Sequence, residues 1–261
     1  MKISITKENK TISRLVRKTL IIIFWVFIWE LSSLFINNEI LLPSPKKVFE
    51  TLIILGTKKY FWISVLESIL RVIIGILISI ALGISLGIIA GINVFMEELL
   101  EPLVVTIKAT PVMSIIIIAL VWFKSSNVAI FTSILMCFPI IYTNVLSGIK
   151  SVDKNLLEMA NLYKVKNKYI LTNIYIPSTK PYIISGILMC LGIGWKVSVA
   201  SEILSTPKYS IGLNLLNAKA TLATEELFAW TIVVVLLSLI FEKYLNIMLK
   251  KYFKQKGIVY L

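Results

Sequence analysis

The stretch Asp153–Pro181, DKNLLEMANLYKVKNKYILTNIYIPSTKP, is the one long basic, polar interval between strongly apolar segments, and its reading decides the fold. Leu156, Ala160 and Tyr163 follow the i, i+4, i+7 spacing. On a helix turning about 100° per residue they share one face. Asp153 has the residue type of an N-cap, and Pro177 and Pro181 are expected to stop the second half. The stretch therefore reads as a pair of helices outside the bilayer, flanked by Lys150, Lys154, Lys164, Lys166, Lys168 and Lys180. Most membrane loops only connect. A loop with its own amphipathic helix offers a docking surface for a cytoplasmic partner.

The rest of the chain supplies the membrane. Of 261 residues, 57% are hydrophobic, and the mean hydropathy is +0.88. The apolar segments are long enough for a hydrocarbon core of about 30 Å, which takes about 20 helical residues. The formal net charge of +13 lies between the spans rather than along one face, as the positive-inside rule expects and a nucleic-acid surface does not. With no histidine, imidazole catalysis and His-ligated metal are excluded. Cys137 and Cys190 fall inside apolar segments and read as small buried hydrophobes rather than a structural disulfide.

Taken in order, residues 1–18 form a basic N-terminus with Lys2, Lys7, Lys10, Arg14, Arg17 and Lys18, followed by an uncleaved first span over 20–36 containing Glu30. Leu42-Pro43-Ser44-Pro45 breaks the chain before a short amphipathic piece over 48–55. The second span covers 62–92, with Glu67 and Arg71 at i, i+4. Gly75, Ser79, Gly83, Gly87 and Gly91 make a ridge of small residues along it, a surface for close helix packing. A short turn over 93–101 carries Glu97, Glu98 and Glu101. A third span over 102–123 contains Lys108 and Pro111, and a fourth over 127–146 contains Pro139. Each proline marks either a hinge or a fixed kink. A fifth span over 182–204 carries Trp195, Lys196 and Glu202; a polar outer loop over 205–227 and a sixth span over 228–248 follow. The tail ends with Lys250, Lys251, Lys254 and Lys256. Six spans place both termini and the Asp153–Pro181 stretch on one side, the cytoplasmic one.

Glu158-Met159-Ala160, three residues, Lys164, nine residues, then Ile174-Tyr175-Ile176-Pro177 resembles the EAA loop of ABC-importer permeases, E-A-A, three residues, G, nine residues, I-x-L-P. Every gap matches. Met159 replaces an alanine, Ile176 a leucine, and Lys164 the glycine. A non-glycine residue in a left-handed turn costs about 1 kcal/mol or more, so the kink after the first helix is expected to differ. From Leu42 onward the chain is similar to the sulfonate, taurine and nitrate branch of these permeases. The stretches that carry this are Leu42 to Pro45, Ser68-Ile69-Leu70-Arg71, Trp122-Phe123, Phe138-Pro139-Ile140, Gly148 through Val152-Asp153, Trp195 to Glu202, and Ile211-Gly212-Leu213. It departs from the branch at Ile117, where a second proline is frequent, and at Lys124 and Ser126, where glycines are.

The resemblance implies an all-α, type I importer permease fold: one transmembrane domain over 19–261 with a coupling loop over 149–181, in a bacterial cytoplasmic (inner) membrane. It implies docking of Glu158, Met159, Ala160, Lys164, Ile174 and Pro177 on an ATPase subunit. That partner binds ATP and Mg; this chain has no G-x-x-x-x-G-K-[ST] loop and is expected to bind no cofactor. An extracytoplasmic solute-binding protein and a second permease copy complete the implied assembly, which is not an enzyme in this chain. Intramembrane charge supplies candidate path residues. Lys196, Arg71 and Lys108 would attract an anionic solute, with Trp195, Glu202 and Pro111 alongside. The other reading pairs Arg71 with Glu67, lets Lys108 snorkel and gives Lys196 another helix as partner. Glu202, six positions from Lys196, lies on a different helix face. Two further classes stand beside the permease: an ion-coupled secondary transporter, and the transmembrane component of an energy-coupling vitamin transporter, whose A-R-G signature does not occur here.

Overall fold

In the computed structural model the chain is described from residue 2 to residue 255, with side chains described for 16–244 and for Ile247. The side chains of Lys2, Lys7, Lys10 and Arg14, and those of the basic tail Lys250, Lys251, Lys254 and Lys256, lie outside the described residues. Every regular element among the described residues is helical.

One unit comprises Met1–Phe61 with Asn214–Ile232. It contains α1 (Lys2–Ile36), whose segment Val16–Ile36 is apolar enough to span, and α2 (Pro45–Gly56). The chain breaks before α2 as expected, but the helix opens at Pro45 rather than near Val48, and Ser44 caps it, accepting from the Lys47 N–H at 3.4 Å. Trp29 Nε1 donates to Pro43 O at 3.1 Å and Ser33 Oγ to Leu42 O at 2.9 Å, tying the connection back onto α1. Val48 and Leu55 are the buried face of α2.

The other unit comprises Trp62–Leu213 with Val233–Leu261. Here α3 (Lys59–Ile92) supplies the glycine ridge, and its partner is α6 (Ser125–Lys150). A Cβ on Gly75 would come 2.7 Å from Ser133 Cβ, on Gly83 2.7 Å from Ile141, on Gly87 2.8 Å from Val145 and on Gly91 2.8 Å from Ile149. Residue numbers rise together on the two helices, so they run parallel, as second and fourth spans must. Ser79 Oγ, in the same row, donates to Gly75 O at 2.8 Å and across to Ile134 O at 3.3 Å. Packing was the expected role of the ridge. On its other side α6 packs antiparallel against α9 (Ile176–Ser205), where a Cβ on Gly148 would meet Thr179 Cγ2 at 2.8 Å and one on Gly194 would meet Cys137 Sγ at 2.9 Å. Cys137 and Cys190 are free, buried, and each directs its Sγ to the other's carbonyl.

Several expectations are corrected. The third span is not one helix over 102–123: α4 (Val94–Ala109) and α5 (Val112–Trp122) are bent by 104° at the Thr110-Pro111 step. A residue before proline avoids the helical region, and Thr110 takes ψ 129°. The residues read as a turn over 93–101 belong to α4, with Asn93 as N-cap and Glu97 in the first turn, where the helix dipole favours an acid. Pro139, by contrast, lies inside an unbroken α6. Pro177 and Pro181 do not stop the second helix of the polar stretch. It runs from α8 (Asn167–Ile170) through a π-helical turn, Leu171–Tyr175, into α9 as one 39-residue helix. Pro177 sits in the first turn after the π segment, where a missing N–H costs least. The outer loop over 205–227 contains α10 (Ile211–Ala220), and the last span, α11 (Thr224–Gln255), begins before Phe228. Among the described residues five helices are long and apolar enough to cross a membrane, and the bent α4–α5 pair passes the same criterion when taken as one span.

Candidate functional site

The polar stretch folds into α7 (Lys154–Leu162), the short connection after it, and the start of the α8–α9 helix. Asp153 caps α7 as expected, its carboxylate accepting from the Asn155 N–H at 2.9 Å. At the other end Lys164 takes φ 50°, the left-handed conformation that glycine supplies in the resembling pattern. The Val165 N–H bonds Ala160 O at 2.9 Å and the Lys164 N–H bonds Asn161 O at 2.9 Å, the paired bonds of a Schellman closure. Lys164 thus takes up the left-handed turn itself, at the cost a non-glycine residue bears there.

Leu156, Ala160 and Tyr163 do not share one environment. Ala160 is buried, while Leu156, Met159 and Tyr163 form a solvent-facing apolar stripe, with Tyr163 79% and neighbouring Leu162 82% exposed. Glu158 is exposed as well. Leu157 and Asn161, on a different side of α7, line a cleft of about 460 Å³ with Ile92, Lys168 and Leu171. Ile174 is half-buried and Pro177 exposed on the helix beyond. α7 lies outside the candidate spans and leaves four large apolar side chains, Leu156, Met159, Leu162 and Tyr163, exposed.

The second polar constellation lies toward the other end of α3. Arg71 and Glu202, both path candidates by sequence but not paired there, form a buried ion pair with Arg71 Nη1 2.9 Å from Glu202 Oε1. Arg71 also reaches Glu67 at 3.3 Å, the pairing expected from their spacing, and donates to Tyr209 O at 3.2 Å. Glu202 Oε2 accepts from Ser68 Oγ at 2.7 Å and from the Gly212 N–H at 3.2 Å, and Ser68 Oγ accepts from the Ile211 N–H at 2.9 Å. The carboxylate therefore sits at the N-terminus of α10, where the free N–H groups favour a negative charge. Gly212 makes that approach possible, because a Cβ there would lie 2.4 Å from Glu202 Cβ. Sequence reasoning missed this network, although a signal was present. Ser68 to Arg71, Trp195 to Glu202 and Ile211 to Leu213 were three separate matching stretches, and all three meet here.

Of the remaining path candidates, Trp195 is buried, its Nε1 donating to Val234 O at 3.0 Å and its ring 5.7 Å from Phe241. Lys196 is exposed and forms no ion pair among the described residues. It lies nine residues before the end of α9, roughly 14 Å along the axis, within a helix long and apolar enough to span. Pro111 and Lys108 are exposed at the α4–α5 break.

Residues 83–252 match the sequence profile of a family described as binding-protein-dependent transport system inner membrane component. A Methanocaldococcus jannaschii protein bearing an ABC transporter permease name is 31% identical over 234 residues, covering 87% of each chain. The taurine transport system permease protein TauC of Escherichia coli is 23% identical over 220 residues, 82% of this chain and 80% of its own. The nitrate import permease protein NrtB of Synechococcus elongatus is 31% identical over 111 residues, 42% of this chain and 40% of its own.

Proposed function

Because the chain belongs to the family of binding-protein-dependent transport system inner membrane components, in the branch of taurine, sulfonate and nitrate ABC importer permeases, we propose that it forms half of an ATP-driven import pathway for a small anion. The observation that carries this reading is α7: a capped helix outside the spans that bears Glu158 and an apolar stripe in water. In this reading Glu158, Met159 and Ala160 seat in a groove of a cytoplasmic P-loop ATPase. Lys164, Ile174 and Pro177 hold the angle between α7 and the helix that continues as α9. ATP and Mg belong to that ATPase, and closure of two ATPases draws two α7 helices together.

A second copy of the chain completes the pathway, and a binding protein delivers solute to the opposite face. The lysine-rich polar stretch supports a cytoplasmic position for α7 and both termini, in the cytoplasmic membrane. Lys196 supports an anionic solute. A lysine exposed within a span is costly against lipid, so it faces a wet cavity or the second copy, and a sulfonate or nitrate group complements its charge. Arg71, Glu202 and Trp195 shape the wall of that path through their buried contacts, and Pro111 sets its break.

The test is co-purification from the native membrane, comparing the wild-type chain with Glu158→Lys. A P-loop ATPase recovered with the wild type and lost with the variant, both inserting equally, is the expected result. Recovery of the wild-type chain alone, active in uptake driven by an ion gradient, would overturn the reading.

A further inference from the structure

We propose that the cleft between α7 and the start of the α8–α9 helix binds a small monoanion with an apolar body. The site goes beyond ATPase docking and does not depend on it. Leu157 and Asn161, about one turn apart on α7, line one wall. Lys168, Leu171 and Tyr175, at i, i+3 and i+7 of the continuous helix, line the other, and Ile92 contributes from the end of α3. This side of α7 is not the one that carries Leu156, Met159 and Tyr163. The volume of about 460 Å³ lies within the roughly 300–1,000 Å³ of small-molecule sites, which set a few polar groups in mostly apolar walls.

The lining sets the chemistry of the ligand. Lys168 is the one charged side chain in it, and no acid lines the cleft. Among the described residues Lys168 forms no ion pair, and Asn161, Asn167 and Tyr175 make no side-chain hydrogen bond. One uncompensated cation beside two amides and a hydroxyl, all able to donate, suits the oxygens of a carboxylate, sulfonate or phosphate. Ile92, Leu157 and Leu171 suit hydrocarbon, a wall that a bare inorganic anion would leave unused. Leu171 and Tyr175 are also the first and last residues of the π turn, in which the Ile176 N–H bonds Leu171 O. Such turns are rare within helices and recur at functional sites. A ligand seated here touches α3, α7 and the α8–α9 helix at once, and so braces α7 against both.

A lipid headgroup and a soluble amphiphile present this same chemistry, and the experiment separates them. Hydrogen–deuterium exchange is followed on the full-length chain, without ATPase, in phosphatidylcholine nanodiscs with hexanesulfonate or hexanol added, and in nanodiscs containing phosphatidylglycerol. Saturable slowing of exchange in α7 and Leu171–Tyr175 is expected with hexanesulfonate, phosphatidylglycerol or both, and not with hexanol. Lys168→Gln should raise the half-saturating amount about tenfold or more, because a charge-assisted contact is lost. Leu171→Phe, which fills the cleft, should abolish the slowing, and Lys166→Gln, exposed and outside the lining, should match the wild type. Slowing by hexanesulfonate alone assigns a soluble anion and slowing by phosphatidylglycerol alone a lipid headgroup; either sustains the site. No slowing by either, or slowing that Lys168→Gln leaves unchanged, overturns it. Lys168 is exposed and unpaired, so its variant decides the matter even where Leu171→Phe fails to fold. With no ATPase in the assay, failure here leaves the docking reading standing, and that reading fails only on co-purification.

Discussion

The two ends of α3 lie close to two polar regions that treat charge in opposite ways. Around Arg71 the charges are buried and saturated: Glu202 accepts from Arg71, Ser68 and the α10 backbone, and Arg71 reaches Glu67 and Tyr209 as well. Around α7 Leu156, Met159, Leu162 and Tyr163 are exposed, as are Lys154, Lys164, Lys166 and Lys168, which form no ion pair among the described residues. A buried charge must find its partners within its own fold, because leaving it unpaired in low dielectric costs too much. An exposed charge can wait for a partner from elsewhere. The contrast separates a region where the chain closes on itself from one where its side chains are left exposed.

The largest expected effect lies at the closed end. Arg71→Met leaves Glu202 buried without its cation and should cost about 3–5 kcal/mol, seen as a lower midpoint of thermal unfolding in detergent. Combining it with Glu202→Gln should recover a substantial part. Equal stability of Arg71→Met and wild type would mean that the pair does not close this region.

Gly212→Ala tests the same closure through space rather than charge. Its Cβ would lie 2.5 Å from Ile203 N, and the overpacking should cost about 1–3 kcal/mol. Gly192 provides the control, since a Cβ there meets nothing within 4 Å. Gly192→Ala should be neutral or slightly stabilising by the same unfolding measurement, because alanine favours helix. Similar losses at both positions would dissolve the distinction.

The smallest effect belongs to the open end and has the opposite sign. Lys164→Gly relieves a left-handed lysine of about 1 kcal/mol of strain, so the Val165 N–H that closes α7 should exchange about fivefold more slowly with solvent deuterium. Unchanged or faster exchange would mean that the lysine turn carries no strain to relieve.

What was legible in the sequence follows from the range of each interaction. Asp153 capping α7 and the ridge from Gly75 to Gly91 are local patterns, and each does what its pattern implied. Glu67 and Arg71 were paired from a four-residue spacing, and that contact exists, though the shorter one goes to Glu202. The period that puts Leu156, Ala160 and Tyr163 on one side of α7 does not say which of them has a neighbour, and only Ala160 is buried. Pro177 and Pro181 were read as stops, and a π turn placed the first of them where a helix tolerates it.

The sequence by itself determined that this chain has several segments apolar enough to cross a membrane and that one polar interval carries a capped helix, because hydropathy and capping act over a few residues. Only the tertiary structure decided that Arg71 answers Glu202, 131 positions away, and that the third crossing is bent by 104°. The pairing depends on helix registers set by glycines packed to contact distance. The bend depends on a proline whose effect differs from that of Pro139 in an unbroken helix, and residue type alone does not distinguish the two.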